Sequence, residues 1–576
     1  MIIQPGWEEN IRADWYRRTR GAPRLGACLT LLLLAGAAFA QSPESLASAY
    51  RESPTPARAR ALAQFAASHK DTNGTLAHLT LGIVSFEQKR FPDAIQHLTA
   101  AQPRLPKLTD YTAYYLAAAR MEMQDFAAAA RGAAQVESAP LRSPFAARAR
   151  VLEARGLAAS GSAIEAVRTL REHYADLPQP DGDLTLALAY EAAHDLPQAA
   201  QYYQRVYYEY PSGDAAARAA AELITLHDAM GAAYPAPAPQ AMIERAHQLA
   251  AQREYARAQA EFRALVPQLS GPEREQARVG IGAAEYLAGD VAAAYSHLRA
   301  LELSDADAEA ERLYYVAECA RKLNDEDQMM EAVKKLAAKH GGSMWRYKAL
   351  TTAANRFLVT NQPDKYVPLY KAVYETFPDQ PTAASSRWRV AWAAYIRRRR
   401  EARELLREHL QRYPGHPSAS AALYYLGRLA ESDADYAAAR SFYGTLTAQF
   451  PNYYYGILAR VRLAQPPIAA AAPSEKVAAF LRPIGFPPRK PAVAGQPDAY
   501  TTLRIARARQ LVSAGLPDLA QAELRFGARD SNEPCLLAME LARTGRTPHE
   551  RLHNIKSAAP DYLSLTLEDA PPAFWP

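Results

Sequence analysis

The stretch AALYYLGRLAESDADYAAARSFYGTLTAQFP, residues 421–451, contains the spacing that decides the fold of this chain. Gly427 is followed twelve positions later by Ala439, four positions further on by Tyr443, and then by Pro451. Two helices pack closely only where small side chains meet at their crossing, and a proline ends the second helix. The stretch therefore predicts a helical hairpin.

The same spacing occurs three times earlier in the chain. The earlier sets are Gly82, Ala94, Leu98 and Pro106; Ala187, Ala199, Tyr203 and Pro211; and Gly282, Ala294 and Leu298. Hairpins that repeat in this way stack into a superhelix with a long concave face, as in tetratricopeptide-type (TPR-like) repeats. The sequence predicts an all-α fold, a superhelical stack of TPR-like hairpins, and leaves open whether the stack closes into a ring.

Composition agrees with a large helical protein and argues against nucleic-acid binding. Of the 576 residues, 49% are hydrophobic and 22% are charged, and only 27 are glycine, which favours helices over strands. The formal net charge is +6, and it falls to about +4 without the first forty residues, which carry five arginines and three acidic residues. Such a small excess on so long a chain predicts no nucleic-acid partner.

Changes in composition predict four segments. Residues 1–40 are predicted to be a signal peptide and residues 41–465 the TPR-like superhelical domain, in which the proline-rich residues 231–240 mark a joint between two arcs. Residues 466–499 are rich in proline and alanine and predict a linker. Residues 500–576 regain helical spacing and predict a smaller domain of about three helices.

The first segment has the pattern of a secretion signal. An apolar run over residues 27–40 ends in Ala38-Phe39-Ala40 and follows the basic residues Arg17, Arg18, Arg20 and Arg24. At about 14 residues the run is shorter than the roughly 20 needed to span a bilayer, so no stable membrane span is expected. The sequence predicts cleavage after Ala40 and a periplasmic location.

Two groups of residues resemble metal ligands, but no metal or cofactor site is predicted. Cys319 and Cys535 lie far apart on expected helices and are interpreted as buried thiols. Residues 549–553, HERLH, place two histidines one helical turn apart, as zinc peptidases do. Here Thr547 and Glu550 instead predict a capping box at the start of a helix.

Residues 421–464 also resemble one particular family. LYYLGRLA at 423–430, DYAAAR at 435–440 and FPNYYYGILAR at 450–460 are similar to the end of the superhelical region of soluble lytic murein transglycosylases. RWRVAW at 387–392, with Tyr413-Pro414, resembles the preceding hairpin of that family. The resemblance implies a scaffold that binds peptidoglycan or takes part in cell-wall turnover.

The C-terminal segment extends the resemblance but contains no catalytic motif. IARARQL at 505–511, Gly515-Leu516 and AEL at 522–524 resemble the family's small helical domain. APDYLSL at 559–565, with Pro571, Phe574, Trp575 and Pro576, resembles the bridge that leads into its catalytic domain. The family's catalytic Glu-Ser-x-Phe motif is absent. Glu-Ser occurs four times, beginning at Glu44, Glu52, Glu137 and Glu431, but in none of them does a phenylalanine stand two positions after the serine. We therefore expect no catalytic residue, and no cleavage by this chain alone.

Aromatic residues supply the predicted binding surface. The chain has 33 tyrosines against 15 phenylalanines, and a phenol joins a flat apolar face to a polar edge, which suits a sugar or a hydrated peptide groove. The candidate surface for a glycan or a protein partner consists of Trp388, Trp392, Tyr453, Tyr454 and Tyr455. The alternative is that these rings fill the spaces between helices as ordinary core residues.

Two functions remain open from the sequence. The first is a periplasmic scaffold for peptidoglycan glycan strands, as the family resemblance implies. The second is a periplasmic adaptor that grips proteins in its groove, as TPR-like proteins commonly do.

Overall fold

The computed structural model describes residues 42–488, 496–545, 547–558 and Leu563. Within these ranges the chain is built from thirty α-helices and has no strand, which confirms the predicted all-α class. None of the described helices is long and apolar enough to span a bilayer. The predictions for the leader, for part of the linker and for the bridge residues Pro571, Phe574, Trp575 and Pro576 fall outside the described residues.

Most helices are short, between ten and seventeen residues. Their bounds are α1 Pro43–Glu52, α2 Pro56–Ser68, α3 Thr72–Glu87, α4 Phe91–Ala101, α5 Thr109–Glu122, α6 Phe126–Ala134, α7 Ala146–Ala159, α8 Ala163–Glu172, α9 Asp181–Ala192, α10 Leu196–Glu209, α11 Asp214–Met230, α12 Pro239–Ala251, α13 Tyr255–Leu265, α14 Gly271–Ala288, α15 Val291–Ala300, α16 Ala306–Lys322, α17 Glu326–Lys339, α18 Met344–Val359, α19 Pro363–Thr376, α20 Ala383–Ile396, α21 Ala402–Arg412, α22 Ser418–Ser432, α23 Tyr436–Gln449, α24 Tyr454–Leu463, α25 Pro466–Ala470, α26 Glu475–Leu481, α27 Ala499–Ser513, α28 Pro517–Asp530, α29 Pro534–Arg543 and α30 Pro548–Ala558.

The helices pair into hairpins, and each hairpin stacks on the next. We call α3, α5, α7, α9, α12, α14, α16, α18, α20, α22 and α24 the first helices, and their hairpin partners the second helices. In most neighbouring pairs the two first helices pack closely on each other, whereas no two consecutive second helices among those described do so. Elements on the inside of an arc lie closer together, so the first helices line the concave face of a superhelical solenoid.

The predicted glycine crossings are present. In three hairpins the large side chain sixteen positions after the glycine lies directly against it. A Cβ placed on the glycine would lie 2.6 Å from Leu98 Cγ at Gly82, 2.6 Å from Leu298 Cγ at Gly282 and 2.5 Å from Tyr443 Cε1 at Gly427. These separations are below van der Waals contact, so each glycine is what allows its two helices to approach.

The turns inside the hairpins share one geometry. The residue before the cap of the second helix adopts positive φ, for example 57° at Ala434 and 97° at Gly289. The next residue is commonly an aspartate, and Asp290 and Asp435 accept hydrogen bonds from backbone N–H groups of the helices they start. The tight turn and its cap hold the second helix antiparallel to the first.

The regular alternation is interrupted at residues 231–238, between α11 and α12. A 3₁₀ turn, Gly231–Ala233, and an extended stretch bring α12 back against α10. Arg245 of α12 donates a hydrogen bond to the Tyr207 carbonyl of α10 at 2.5 Å, and its guanidinium lies 3.7 Å from the centre of the Tyr207 ring. Because α12 packs on α10, α11 stands outside the hairpin series.

The described part of the predicted 466–499 linker is partly helical. Its short helices α25 and α26 pack on α23, and the Arg440 guanidinium donates to the Ala471 carbonyl at 2.7 Å. Phe486 continues onto the core of the last hairpins, 6.1 Å from Phe450 between ring centres. The proline-rich sequence concealed these contacts because its helices are only five and seven residues long.

The four C-terminal helices pack on the N-terminal end of the solenoid. We call α27–α30 the closing unit. Leu511, Leu524 and Leu541 of this unit share one hydrophobic core with Leu79 of α3 and Leu116 of α5. The sequence predicted a separate small domain of about three helices, and it gave no sign of this contact.

Buried charges accompany the apolar contact. Arg507 Nη2 lies 2.6 Å from Asp110 Oδ2, and Arg507 Nε and Arg504 Nη1 each lie 2.6 Å from Glu523 Oε1. Tyr111 donates to the other oxygen of Glu523 at 2.9 Å. All four charged side chains are fully buried, so each depends on the others for its stability.

The closing unit joins the two ends of the solenoid. Pro487 lies against Gly415 near the C-terminal end, and Asp498 caps α27 of the closing unit. Ten residues lie between the two positions, and the eleven steps of chain that join them span at most about 40 Å. The two ends of the solenoid therefore lie within about 40 Å of each other, and we call this curved arrangement, with the first helices on its inner side, the ring.

Candidate functional site

A row of aromatic rings crosses the concave face at the C-terminal arc. We call Trp388, Trp392, Tyr395, Tyr425, Tyr455 and Tyr454 the aromatic row. It extends over α20, α22 and α24, three consecutive first helices. Trp388 and Trp392 lie one turn apart on α20 and stack with ring centres 5.7 Å apart. Trp392 also stacks on Tyr395 at 5.5 Å.

The row passes from helix to helix through Tyr425. Its ring centre lies 4.5 Å from Trp392 and 4.6 Å from Tyr395. On the other side it lies 5.5 Å from Tyr455 of α24, and the two phenol oxygens are 3.5 Å apart. Burial raises the pKa of Tyr395 and Tyr425, so both phenols remain neutral and can donate hydrogen bonds at physiological pH.

The structure brings four of the five predicted site residues into this row. Tyr454 ends it, 5.2 Å from Tyr455, and is 69% exposed. Tyr453 lies just before α24 and contacts Phe450 at 5.3 Å instead, as part of the packing of the last hairpins. The two tryptophans and Tyr455 are half-buried, so they combine the core and surface roles that the sequence left as alternatives.

Sequence analysis missed Tyr395 and Tyr425 as members of the row. Tyr395 follows Trp392 by three positions, which places both on one helical face. Tyr425 lies two positions before the crossing glycine Gly427. Helical spacing from the tryptophans could have identified Tyr395, but the meeting of Tyr425 with α20 depends on how the two hairpins stack.

An ion pair between Glu431 and Arg462 holds together α22 and α24, two of the helices that carry the aromatic row. Glu431 of α22 accepts hydrogen bonds from Tyr443 at 2.7 Å and from Arg462 Nε at 2.9 Å. Burial raises the pKa of the Glu431 carboxyl, but Arg462 and Tyr443 outweigh that effect and hold it below its usual value. This glutamate, one of the four Glu-Ser positions, therefore fixes α24 against α22.

Two imidazoles and a hydroxyl lie behind Trp388. The Ser418 hydroxyl is 2.8 Å from His409 Nε2 and 2.6 Å from His416 Nδ1. Burial lowers the pKa of His409 to about 3, so that ring is a weak base near neutral pH. The cluster thus anchors Ser418, the first residue of α22, through two imidazoles.

The other predicted positions have structural contacts. Thr547 and Glu550 form a reciprocal capping box: the Glu550 N–H donates to Thr547 Oγ1 at 3.1 Å and the Thr547 N–H donates to Glu550 Oε2 at 3.3 Å. Cys319 is buried in α16, and Cys535 is partly buried in α29. Over the described ranges, no three His, Cys, Asp or Glu side chains are grouped so that they could hold a metal ion.

Comparison with known proteins supports the repeat architecture. The tetratricopeptide repeat family model matches residues 181–213 and 421–453, which are the hairpins α9–α10 and α22–α23. No curated protein matches the chain in sequence. The chain thus contains tetratricopeptide repeats within an all-α superhelical solenoid.

Two solved structures are similar at low identity. The TPR domain of P58(IPK) is 16% identical, with 71% of this chain and 98% of that chain covered and a TM-score of 0.21. A structure of Naa15/Naa10 bound to HypK-THB is 14% identical, with 84% and 68% covered and a TM-score of 0.25. At such TM-scores neither structure guides the placement of a ligand, and neither is described as a lytic transglycosylase.

Proposed function

We propose that this chain is a scaffold that holds a partner protein against the aromatic row on its concave face. The aromatic row carries the proposal, because rings from three consecutive first helices form one continuous surface that ends in the exposed Tyr454. Aromatic side chains with a polar edge are typical anchors of protein interfaces. The matched tetratricopeptide repeats support it, since solenoids of this type use their concave surface for binding.

An apolar stripe extends the row along α24. Tyr454, Ile457 and Val461 are 69%, 49% and 59% exposed. Their spacing of three and four residues places them on one face of the helix. Contiguous exposed apolar side chains are a common mark of interaction sites. We therefore expect the partner segment to contribute apolar side chains to this stripe.

Site-specific crosslinking tests the proposal directly. A photoreactive amino acid in place of Tyr454 should crosslink one defined protein in the native cells. The same substitution at Tyr436, which is 38% exposed on a second helix, is the matched control and should give no such product. Identical products from both positions, or none from Tyr454, would contradict the proposal.

Substitutions then measure how much the surface contributes. The double variant Tyr454→Ser and Ile457→Ser removes two exposed anchors without opening a core, so the fold should persist. We expect at least about a ten-fold loss of affinity for the crosslinked partner, by fluorescence anisotropy. Ile224→Ser, at a 68% exposed position on α11, is the control that should bind normally.

Glycan binding is the second candidate function, favoured by the flat indole and phenol rings of the row. It agrees with the resemblance of residues 387–464 to murein transglycosylase scaffolds. In this case, purified murein sacculi should retain the chain in a sedimentation assay, and Trp392→Ala should reduce retention. Retention without a protein crosslink at position 454 would favour this second candidate over the first.

We also propose that the protein works in the periplasm, on the strength of the basic and apolar pattern of residues 17–40. The mass of the protein purified from its native cells tests this point. Removal of the leader should leave a chain that starts at Gln41. A mature chain that retains residues 1–40 in the cytoplasmic fraction would exclude a periplasmic role.

A further inference from the structure

A second cleft opens on the concave face, away from the aromatic row. It has a volume of about 480 Å³ and is lined by residues of four consecutive first helices, α12, α14, α16 and α18, and by the residue before α18. We call it the acidic cleft. Volumes of this size suit one or two amino-acid side chains or a small ligand. Its lining includes Glu244, Asp307, Glu311, His247, Gln276 and Trp345.

Glu311 is the unusual residue of this cleft. It is 5% exposed, and its Oε1 is buried without a hydrogen-bond partner. A buried carboxylate oxygen that lacks a donor costs free energy, so such groups are ordinarily paired. Burial raises the pKa of Glu311 to about 7, partly opposed by Lys348.

The charges around Glu311 favour a cation. Glu244 and Asp307 are exposed at the rim, and no lysine or arginine lines the cleft. His247 lies beneath them, and burial lowers the pKa of this imidazole, which keeps it neutral at physiological pH. The lining residues therefore offer carboxylates to a ligand, and one cation, Lys348 of α18, stands beside them.

The aromatic wall of the cleft already accommodates an ammonium group. Lys348, which is exposed, places its Nζ 3.9 Å from the centre of the Trp345 ring. Trp345 also packs against Tyr314 and Tyr315, at 5.4 and 6.0 Å between ring centres. A cation over an indole face is attracted to the ring, so this wall also suits a ligand cation in place of the Lys348 ammonium.

We propose that the acidic cleft binds the ammonium or guanidinium group of a lysine or arginine side chain in a segment of the partner protein. The proposal rests on the scaffold function proposed above and names one feature of the partner, a basic residue. On rotation of its side chain into the cleft, Glu311 would accept the charged hydrogen bond that its buried oxygen lacks, and Trp345 would pack on the stem of the ligand side chain. Lys348 would compete for the same space.

Small probes test the cleft on the full chain. Nα-acetyl-lysine methylamide and Nα-acetyl-arginine methylamide carry the charge, and Nα-acetyl-norleucine methylamide has a similar shape without it. Ligand-observed NMR at pH 8 should detect binding of at least one charged probe and no binding of the neutral probe. Equal binding of all three, or no binding of either charged probe, would overturn the proposal.

Variants assign the binding to Glu311. Glu311→Gln keeps the shape and should weaken the charged probe by at least about ten-fold. Glu331→Gln, at an exposed position on the second helix α17, is the control and should bind normally. Unchanged affinity in Glu311→Gln would overturn the proposal.

A second variant keeps the test valid if Glu311→Gln fails to fold. Lys348→Met changes an exposed residue, removes the competing cation and should strengthen binding of the charged probe. Weaker or unchanged binding in this variant would also overturn the proposal. Single amino-acid probes do not report on the aromatic row, so a failure here leaves the crosslinking test at Tyr454 independent.

Discussion

Two buried glutamates, Glu523 in the closing unit and Glu311 in the acidic cleft, have opposite hydrogen-bonding environments. Glu523, in the closing unit, accepts hydrogen bonds from Arg504, Arg507 and Tyr111. Glu311, in the acidic cleft, has a buried oxygen without a partner. The chemical group is the same in both residues, but the hydrogen bonds differ. Both oxygens of Glu523 accept hydrogen bonds from within the chain, whereas one oxygen of Glu311 accepts none.

The pKa directions express the same difference. Burial alone raises the pKa of the Glu523 carboxyl, but Arg507 and Arg504 outweigh it and hold that pKa below its usual value. At Glu311 burial prevails and the pKa rises to about 7. A buried carboxyl with donors from the chain stays ionised at lower pH, whereas one without a donor gives up its proton only at higher pH.

The largest effect should come from removing the central cation of the closing contact. Arg507→Met leaves Asp110 and Glu523 buried with one cation fewer, which costs about 3–5 kcal/mol. Hydrogen exchange should show loss of protection in α3 and α5 as well as in α27. Arg509→Met is the control, because Arg509 is 60% exposed and its partner Glu540 keeps a second ion pair with Arg543. A loss confined to α27 would mean that the ring does not depend on this contact.

Gly515 allows the backbone after α27 to lie close to the backbone of α1, where the closing unit meets the N-terminal helices. Gly515 has φ of +67°, and an added Cβ would lie 2.5 Å from the Ser48 nitrogen of α1. Gly515→Ala should therefore destabilise the contact by about 2–3 kcal/mol, measured by amide exchange in α1. Gly161→Ala is the matched control, since Gly161 also has positive φ but nothing within 4 Å. Equal losses in both variants would assign the effect to backbone strain alone.

The opposite sign is expected at Glu311. Its folded pKa is raised, so the cost of ionisation is full above about pH 7, falls as the pH drops below 7, and is gone below the unfolded pKa of about 4.3. Glu311→Gln should thus be more stabilising at pH 8 than at pH 5, by on the order of 2–3 kcal/mol. Amide exchange in α16 measures it. The same gain at both pH values would show that Glu311 does not ionise near pH 7.

The smallest loss of stability is expected at Tyr111, and it distinguishes the contribution of the phenol to Glu523 from that of the arginines. Tyr111→Phe removes one hydrogen bond to Glu523 and leaves both guanidinium contacts, so the expected loss is about 1 kcal/mol. Amide exchange in α5 and α28 is the measurement. A loss as large as that of Arg507→Met would mean that the phenol, rather than the ion pairs, holds the glutamate.

The hairpins could be predicted from the sequence because their contacts are local. Gly427 meets a side chain sixteen positions away, and a spacing that repeats along the chain makes such contacts visible. The turns were harder to predict, since residues such as Ala434 adopt the positive φ that sequence rules reserve mainly for glycine. In these turns the packing of the two helices overrides the local preference.

The ring and the acidic cleft could not be predicted, for different reasons. Asp110 and Arg507 are 397 positions apart, and neither lies in a periodic pattern that points to the other. Glu311 looks like any charged residue of an amphipathic helix until four helices are placed side by side. Of the aromatic row, the two tryptophans could be predicted from their helical spacing, whereas Tyr425 required the stacking of α20 on α22.

The contact of the closing unit with α3 and α5 also governs the order in which the molecule matures. A ribosome that has finished Asp110 must add some 400 further residues before Arg507 emerges, which takes about 20–80 s at ordinary rates of synthesis. During that interval the apolar side chains of α3 and α5 that pack on the closing unit are exposed to solvent. We expect chaperones to bind the N-terminal helices, before and after export, until the final four helices reach them.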